Sequence, residues 1–421
     1  MVYDKPFLVW WGLLLFLCKL GSRRQLDYEL RAGGQTVLAN VNRLAGTHQE
    51  SLPCHDTLDH FLGHVGDRAL AVLRREMVRR LIRMRALESS RLLGRYVMLL
   101  DGTGFVVFNH RHCPRCLEQK TGGHTLYLHP VLEAKLATPE GLVLSLGTEH
   151  IENPLPPHES NLASYETIKQ DCELKAFSRL APHIKADFPQ MRLCLSGDAL
   201  YACGRAIQTC KDNGWDYVFT FKQGQMPAVW QEFQALLALS PQNTRRVLGA
   251  QGLQQVYRWV TGLTYTDDQG REHTFDAIEC QETHDGNTKT FAWITCMKVT
   301  DRNVVAIATR GGRNRWKIEN EGFNTQKNGG YNLEHAYAFS PMHLKAFYCL
   351  LQIAHMILQL VEKGSLLRKL AHKHGKTVVK LFGSIRNIAR RLRDCLRFRI
   401  IPPDACDPAA AARIQIRFDS S

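Results

Sequence analysis

The chain has 421 residues, of which 44% are hydrophobic, so it can bury a large core and is not a disordered tail. Its 54 lysines and arginines outnumber the 40 aspartates and glutamates, which gives a formal charge of +14. An excess of this size favours a polyanionic partner, and we expect a protein that handles DNA.

The cysteines and an N-terminal apolar run bear on where the protein works. The 13 cysteines are odd in number and scattered, so we expect reduced thiols in a cytoplasmic protein rather than a secreted disulfide framework. Residues Phe7 to Cys18 are apolar but too few to span a bilayer, and no small-residue cleavage site follows. We interpret this run as a buried helix rather than a targeting segment, and we expect no membrane partner.

Residues 1–92 are predicted to be helical. From Asp67 to Leu93 the chain carries clustered arginines with few acidic residues. Such a face can simply be solvated, but clustered arginine with few counter-charges suits a DNA backbone better. This region is therefore predicted to bind DNA.

Two aspartates follow, each at the end of a short apolar run. Tyr96 to Leu100 leads into Asp101, and Met191 to Gly197 leads into Asp198. Apolar runs closed by glycine and a polar residue are typical of buried strands, and carboxylates at strand ends can face one cleft. The other elements predict a mixed sheet flanked by helices. They are strands at 125–137, 142–146 and 217–221, and helices at 163–188 and 203–213.

A Cys-x2-Cys pair, Cys113 and Cys116, precedes the first hairpin and is flanked by histidines. Structural zinc takes four ligands, and one such pair supplies two of them. His124, His129 or Cys172 can complete the set. The alternative is a loop with reduced thiols, because no second Cys-x2-Cys follows at the spacing of a zinc ribbon.

The chain becomes β-rich before its last acidic motif, and residues 267–270 and 284–287 are predicted as hairpin turns. We interpret residues 242–300 as a β insertion that precedes this motif. Trp259 and Trp293 lie within it. They can stack on an unpaired base, but packing within the sheet is the expected role.

Arg315 and Glu319 are four residues apart in a segment predicted to be helical, so they share a face. Alone they would be an ordinary surface ion pair. With Asp101 and Asp198 upstream, the chain resembles the insertion-sequence transposases of the DDE class. The resemblance is to the group with a Tyr-x2-Arg-x3-Glu-x6-Lys signature, and it is most specific at Arg-Trp-x-Ile-Glu.

The sequence departs from this signature at two positions. Gly312 stands where the signature has tyrosine, and Gln326 stands where it has lysine. Lys327 follows one residue late. The residues that would contact phosphate at these two signature positions are therefore not identical here, whereas the acidic residues are all present.

The resemblance implies an α/β fold, namely an RNase H-like mixed sheet flanked by helices. The β insertion would precede the last catalytic helix, and both terminal regions would be helical. The implied regions are an N-terminal DNA-binding part at 1–92, a catalytic domain at 93–350 and a basic helical part at 351–421.

The resemblance also implies a site. Asp101, Asp198 and Glu319 would be catalytic and would hold two Mg²⁺ ions, for which Mn²⁺ can substitute. Arg315 and Lys327 would contact DNA phosphates. The implied activity is cleavage at transposon ends and strand transfer into target DNA, by a homodimer in the synaptic complex.

Two other functions remain open. One is an RNase H-like DNA endonuclease without strand transfer. The other is a catalytically inactive DNA-binding protein descended from a transposase, although intact Asp101, Asp198 and Glu319 argue against it.

The C-terminal tail, residues 364–400, carries 11 lysines and arginines with Asp394 as its single acidic residue. We expect it to bind DNA without sequence preference, although an amphipathic helix on a membrane surface has the same charge bias. We also expect it to contribute little to the fold, so that a chain ended after Glu362 should still fold.

Overall fold

The computed structural model describes residues 2–154, 170–249, 252–407 and 415–418. The chain forms two compact units. The first contains Met1–Ser89, Phe105–Phe108 and Asn320–Ser421, and the second contains Ser90–Gly104 and Asn109–Glu319. This division differs from the three predicted regions because helices from both ends of the chain pack together in the first unit.

Four helices begin the first unit. They are α1 (Lys5–Leu17), α2 (Arg23–Arg31), α3 (Gly34–Ala45) and α4 (His55–Arg83). Residues 11–17 of α1 are all buried, which confirms the prediction of a buried helix. α4 bends at Gly66, whose φ of 68° lies in the left-handed region that glycine enters most readily.

A ten-stranded sheet dominates the second unit. Its strands are β1 (Tyr96–Phe108), β2 (Leu117–Thr121), β3 (His124–Ala137), β4 (Val143–His150), β5 (Leu193–Gly197), β6 (Asp216–Thr220), β7 (Thr244–Leu248), β8 (Gln254–Thr266), β9 (Glu272–His284) and β10 (Asn287–Thr295). Their order is β2-β3-β1-β5-β6-β10-β9-β8-β7, and β4 also pairs with β3. β5 is parallel to both β1 and β6, so the three central strands run in one direction.

The predicted β insertion is continuous with this sheet. β10 pairs antiparallel with β6 and places Trp293 opposite Thr220. β7 to β10 therefore extend the sheet beyond β6, and the two predicted hairpin turns join β8 to β9 and β9 to β10. Trp259 and Trp293 are only 5% and 3% exposed, so both pack within the sheet as predicted.

Three helices flank the sheet: α5 (Glu173–Asp187), α6 (Gly204–Asn213) and α7 (Pro227–Leu239). α6 agrees with its predicted bounds. A helix was predicted from residue 163, but residues 155–169 lie outside the described chain, and the described helix begins at Glu173 after an extended Cys172. α5 packs against β4.

Residues 304–328, the glutamate segment, are helical as predicted but irregular. The segment runs through α8 (Val304–Ala306), a π-turn (Ile307–Gly312), a 3₁₀ turn (Arg313–Arg315), a second π-turn (Ile318–Asn324) and α9 (Thr325–Asn328). The Ser196 hydroxyl donates a hydrogen bond to the Gly311 carbonyl at 2.8 Å, which anchors the segment to β5. A side chain at Gly312 would overlap the indole of Trp293, so this glycine lets the backbone lie close to the sheet.

The first unit is completed by α10 (Pro341–Lys363), α11 (Ser365–Lys373), α12 (Val378–Phe382) and α13 (Ile385–Phe398). Within the described chain, Pro341–Lys373 is the one stretch long and apolar enough to cross a membrane. However, 78% of its most apolar window is buried inside the protein. A core helix has this combination of length, hydropathy and burial.

The basic tail is part of the first unit. Ala389 and Leu396 of α13 are buried. Asn40 of α3, which is fully buried, donates hydrogen bonds to the carbonyl oxygens of Leu396 and Arg399 at 2.9 and 2.7 Å. The tail therefore contributes to the fold of the first unit, and the prediction that it contributes little is wrong. Ending the chain after Glu362 would remove α13 and both acceptors of the Asn40 amide.

Candidate functional site

Asp101 lies within β1, and Asp198 directly follows the neighbouring parallel strand β5. The prediction that Asp101 ends a strand is therefore wrong, because β1 continues to Phe108. The register of β1 and β5 pairs Leu99 with Ser196, and each aspartate comes two residues later. Because adjacent strands lie about 4.8 Å apart, the two aspartates lie at the same level of the sheet, and the charge of Asp198 acts on Asp101. The Asp198 carboxylate accepts a hydrogen bond from the Leu200 amide at 2.9 Å, which holds it on the turn after β5.

Arg315 joins Asp101 to Glu319. Its Nη1 lies 3.2 Å from Oδ2 of Asp101 and 3.0 Å from Oε1 of Glu319. The second contact has the i,i+4 spacing expected from the sequence, although the local helix is irregular. The side chains of Arg315 and Asp101 are only 13% and 16% exposed, whereas that of Glu319 is 41% exposed.

Asp101 lies in an electrostatically unfavourable position for a carboxylate. Burial, partly offset by Arg315, raises the pKa of Asp101 to about 7, and the charges of Glu173, Glu319 and Asp198 also raise it. A buried carboxylate among other carboxylates is costly in its charged form unless cations neutralise it. The single guanidinium does not balance these carboxylates, so the site favours additional positive charge.

Glu173 is a carboxylate at this site that the sequence did not reveal. It lies in the first turn of α5, and the Tyr201 hydroxyl donates a hydrogen bond to it at 3.2 Å. Burial raises the pKa of Glu173, and the charge of Asp198 adds to this effect. A methyl group at Gly102 would overlap the Glu173 carboxylate, which places that carboxylate beside the backbone next to Asp101. Its one sequence signal was an acidic residue at a helix start, which is common in any helix.

Gln326, at the signature lysine position, and Lys327 belong to the first unit. The Lys327 ammonium lies 2.7 Å from the Glu334 carboxylate. Gln326 is fully buried, and its amide contacts Gln352 at 2.8 Å and His355 at 2.9 Å. The signature lysine position is therefore occupied by a core residue here, and the phosphate contact of Lys327 stays a prediction.

Cys113 and Cys116 lie in the connection between β1 and β2, with their sulfur atoms 3.3 Å apart. A hydrogen bond from Cys113, together with the nearby His129, holds the pKa of the Cys116 thiol well below its usual range. The structure thus brings thiol and imidazole groups together here, whereas the first site consists of carboxylates and a guanidinium.

The carboxylate site supplies only oxygen donors, which are the ligands that Mg²⁺ prefers. Asp101, Asp198 and Glu319 would hold the ions. Glu173 is a further oxygen donor, close enough for its charge to act on Asp101. Arg315 offers several N–H donors suited to a phosphate. The arrangement can therefore accept divalent cations together with a phosphodiester.

Comparisons with known proteins assign nothing to this site. No protein-family model matches the sequence, and no curated protein matches it either. What supports a function is therefore the geometry of these residues and the motif that contains Arg315 and Glu319.

Proposed function

We propose that the protein is a DDE-class DNA transposase that cleaves transposon ends and joins them to target DNA. The observation that carries this proposal is the grouping of Asp101 and Glu319 around Arg315, with Asp198 on the neighbouring parallel strand. A surface ion pair would explain Arg315 and Glu319 alone. It would not explain two further buried or strand-end carboxylates that act on Asp101.

The strand order supports an RNase H-like core as the finer description of the fold. The five strands β4-β3-β1-β5-β6 lie side by side in that order, with β1, β5 and β6 parallel. The first aspartate lies within the central strand β1, and the second follows its neighbour β5. A mixed sheet with parallel central strands that carry the two aspartates supports the RNase H-like sheet that the resemblance implies.

The residues of the chain divide the work of phosphoryl transfer between them. When bound, two Mg²⁺ ions, or Mn²⁺ in their place, would activate the attacking hydroxyl and stabilise the leaving oxygen. Asp101, Asp198 and Glu319 would hold these ions. The Arg315 guanidinium, which contacts Asp101 and Glu319, would bind a phosphate oxygen of the DNA.

Cleavage and joining use the same set of residues. In cleavage, water attacks a phosphodiester, one P–O bond forms, and the bond to the 3′-oxygen of the transposon end breaks. In joining, that 3′-hydroxyl attacks a target phosphodiester, whose own 3′-oxygen leaves. Neither step needs a covalent bond to the protein.

The proposed partners are DNA and a second copy of the chain, and the proposed location is the cytoplasm. Double-stranded DNA is the partner, as both transposon end and target, and the formal charge of +14 supports it. A homodimer would hold two ends together. A cytoplasmic location agrees with 13 cysteines that form no disulfides, all of them within the described residues.

The test uses a plasmid that carries the DNA flanking the coding sequence. Asp101→Asn, Asp198→Asn and Glu319→Gln should each abolish Mg²⁺-dependent cleavage and joining while retaining DNA binding in an electrophoretic shift. Glu321→Gln, two residues after Glu319, is the matched control and should remain active. An active Glu319→Gln protein with an inactive Glu321→Gln protein would contradict the assignment.

The same experiment separates the other two functions. Cleavage without joined products, across several target plasmids, would indicate an endonuclease. Binding without cleavage in the unaltered protein would indicate a DNA-binding protein that has lost its chemistry.

A further inference from the structure

Four side chains of the second unit form a separate group, the His/Cys cluster: His112, Cys113, Cys116 and His129. The first three lie in the connection between β1 and β2, and His129 lies on β3. One ligand atom from each residue lies within 4.8 Å of all the others. Cys116 and His129 are buried, and the other two are half-buried.

The distances within the cluster are close to those between ligands of one ion, with the two sulfur atoms somewhat nearer to each other. The sulfur of Cys113 lies 3.3 Å from that of Cys116 and 3.4 Å from Nε2 of His129. The sulfur of Cys116 lies 3.5 Å from Nε2 of His129, which in turn lies 3.2 Å from Nε2 of His112. Zinc bonds of about 2.3 Å to sulfur and about 2.0 Å to nitrogen place tetrahedral ligand atoms roughly 3.3–3.8 Å apart.

The surroundings of the cluster orient its ligands. The second ring nitrogen of His129 faces the Glu152 carboxylate at 4.0 Å, and both side chains are less than 10% exposed. Asn153 donates a hydrogen bond from its amide to the Cys116 carbonyl at 2.9 Å, and its backbone N–H bonds to the Arg115 carbonyl at 3.1 Å. A carboxylate behind a histidine ligand and an anchored Cys-x2-Cys turn are usual outer features of metal sites.

We propose that the His/Cys cluster binds one Zn²⁺ ion. Two thiolates and two imidazoles in a tetrahedron are a ligand set that selects zinc over the oxygen-preferring Mg²⁺. Because the protein fills all four positions, the site has no room for a reacting water and is structural. The ion ties the connection between β1 and β2 to β3. This assignment is independent of the proposed transposase activity.

The structure also decides between the ligands that the sequence left open. His129 completes the set as one of the predicted possibilities, and His112 supplies the fourth ligand. His124 and Cys172 are exposed and lie outside the group.

The first test measures metal content in the full-length chain, purified without a polyhistidine tag from zinc-supplemented cells. Inductively coupled plasma mass spectrometry should find one equivalent of zinc that survives dialysis against Mg²⁺. Cys116→Ser should lose that equivalent. Cys172→Ser, an exposed cysteine of the same unit, is the matched control and should keep it. Unaltered protein without zinc, or a Cys116→Ser protein that retains it, would overturn the proposal.

The second test avoids variants, because loss of a structural ion can unfold them. In unaltered protein reconstituted with Co²⁺, a thiolate-to-cobalt charge-transfer band and tetrahedral d–d bands should appear. A mercurial thiol reagent should release the zinc to a chromogenic chelator. Carboxylate-bound metal gives neither result. A spectrum of oxygen ligation alone, or a Cys113–Cys116 disulfide in freshly purified protein, would exclude the site.

Discussion

Asp101 links the charge state of the site to pH. Its pKa is raised from the ordinary 3.8 to about 7, chiefly by burial. In the metal-free protein the folded chain therefore holds a proton that the unfolded chain loses above about pH 4. Stability from this group is fully present at low pH and is lost as pH rises through about 7.

We predict that metal-free protein becomes less stable as pH rises from about 4 to about 7. The urea midpoint in the presence of EDTA should fall over this range. Asp101→Asn should weaken the dependence, because asparagine does not titrate. Adding Mg²⁺ at pH 8 should raise the midpoint of the unaltered protein more than that of the variant. An identical pH profile for the two proteins would mean that Asp101 is charged throughout.

Glu173 should affect both the titration of Asp101 and the Mg²⁺ requirement of cleavage. Its charge helps to raise the pKa of Asp101, so Glu173→Gln should shift the Asp101 titration to lower pH. If Glu173 also supports the metal ligands, the Mg²⁺ concentration for half-maximal cleavage should rise about tenfold. Tyr201→Phe removes the hydrogen bond to Glu173 but keeps the charge, so it should alter the Mg²⁺ requirement more than the titration.

Glu232→Gln is the control for Glu173. Glu232 is an exposed carboxylate of α7 in the same unit. Neither its pH profile nor its Mg²⁺ requirement should change. An equal shift in both variants would reduce the effect of Glu173 to a change in net charge.

At the scale of elements, the glutamate segment depends on its close approach to the sheet. Gly312 stands at the signature tyrosine position, and the indole of Trp293 fills the space that a side chain would need. The glycine at this signature position therefore has a physical explanation, because the indole of Trp293 on β10 occupies the space of a larger side chain.

Gly312→Ala should consequently destabilise the protein by about 1–3 kcal/mol, because overpacking outweighs the better helix propensity of alanine. Cleavage should also fall, since Arg315 and Glu319 follow directly on the same segment. Gly224→Ala is the control, because nothing lies within 4 Å of a Cβ at that position. A stabilised Gly312→Ala protein would mean that Trp293 moves aside at little cost.

At the scale of the whole molecule, the basic tail combines two roles. Arg393 and Arg397 of α13 lie 3.3 and 3.4 Å from the Glu29 carboxylate, within the first unit. Arg390 and Arg391 on the same helix are exposed. One pair of arginines therefore supports packing, and the other pair can meet a DNA backbone.

We predict that the exposed arginines affect DNA binding and that the ion-paired arginines affect stability. Changing Arg390 and Arg391 to Gln should leave stability unchanged and weaken binding to any DNA sequence. The slope of log affinity against log salt should fall by about 0.9 for each phosphate that the variant no longer neutralises. Arg393→Gln should mainly lower the midpoint of thermal unfolding. Unchanged salt dependence in the first variant would remove the tail from the DNA interface.

Features that depend on local pattern could be predicted from the amino-acid sequence. Apolar runs ending at Asp101 and Asp198 predicted strands, because strand burial leaves a continuous apolar stretch. The spacing of Arg315 and Glu319 predicted their contact, because residues four apart share a helical face. The buried α1, the hairpin turns and the packing of Trp293 followed from composition in the same way.

Contacts between residues distant in the chain could not be predicted in this way and became visible in the fold. Glu173 and Asp101 are far apart in the chain, and their approach depends on how α5 packs on the sheet. The same holds for His129 beside Cys116, and for Asn40 beside Leu396 in a tail that looked separable. Local pattern measures propensity and burial, whereas these contacts come from strand order and helix packing, which no short stretch of sequence specifies.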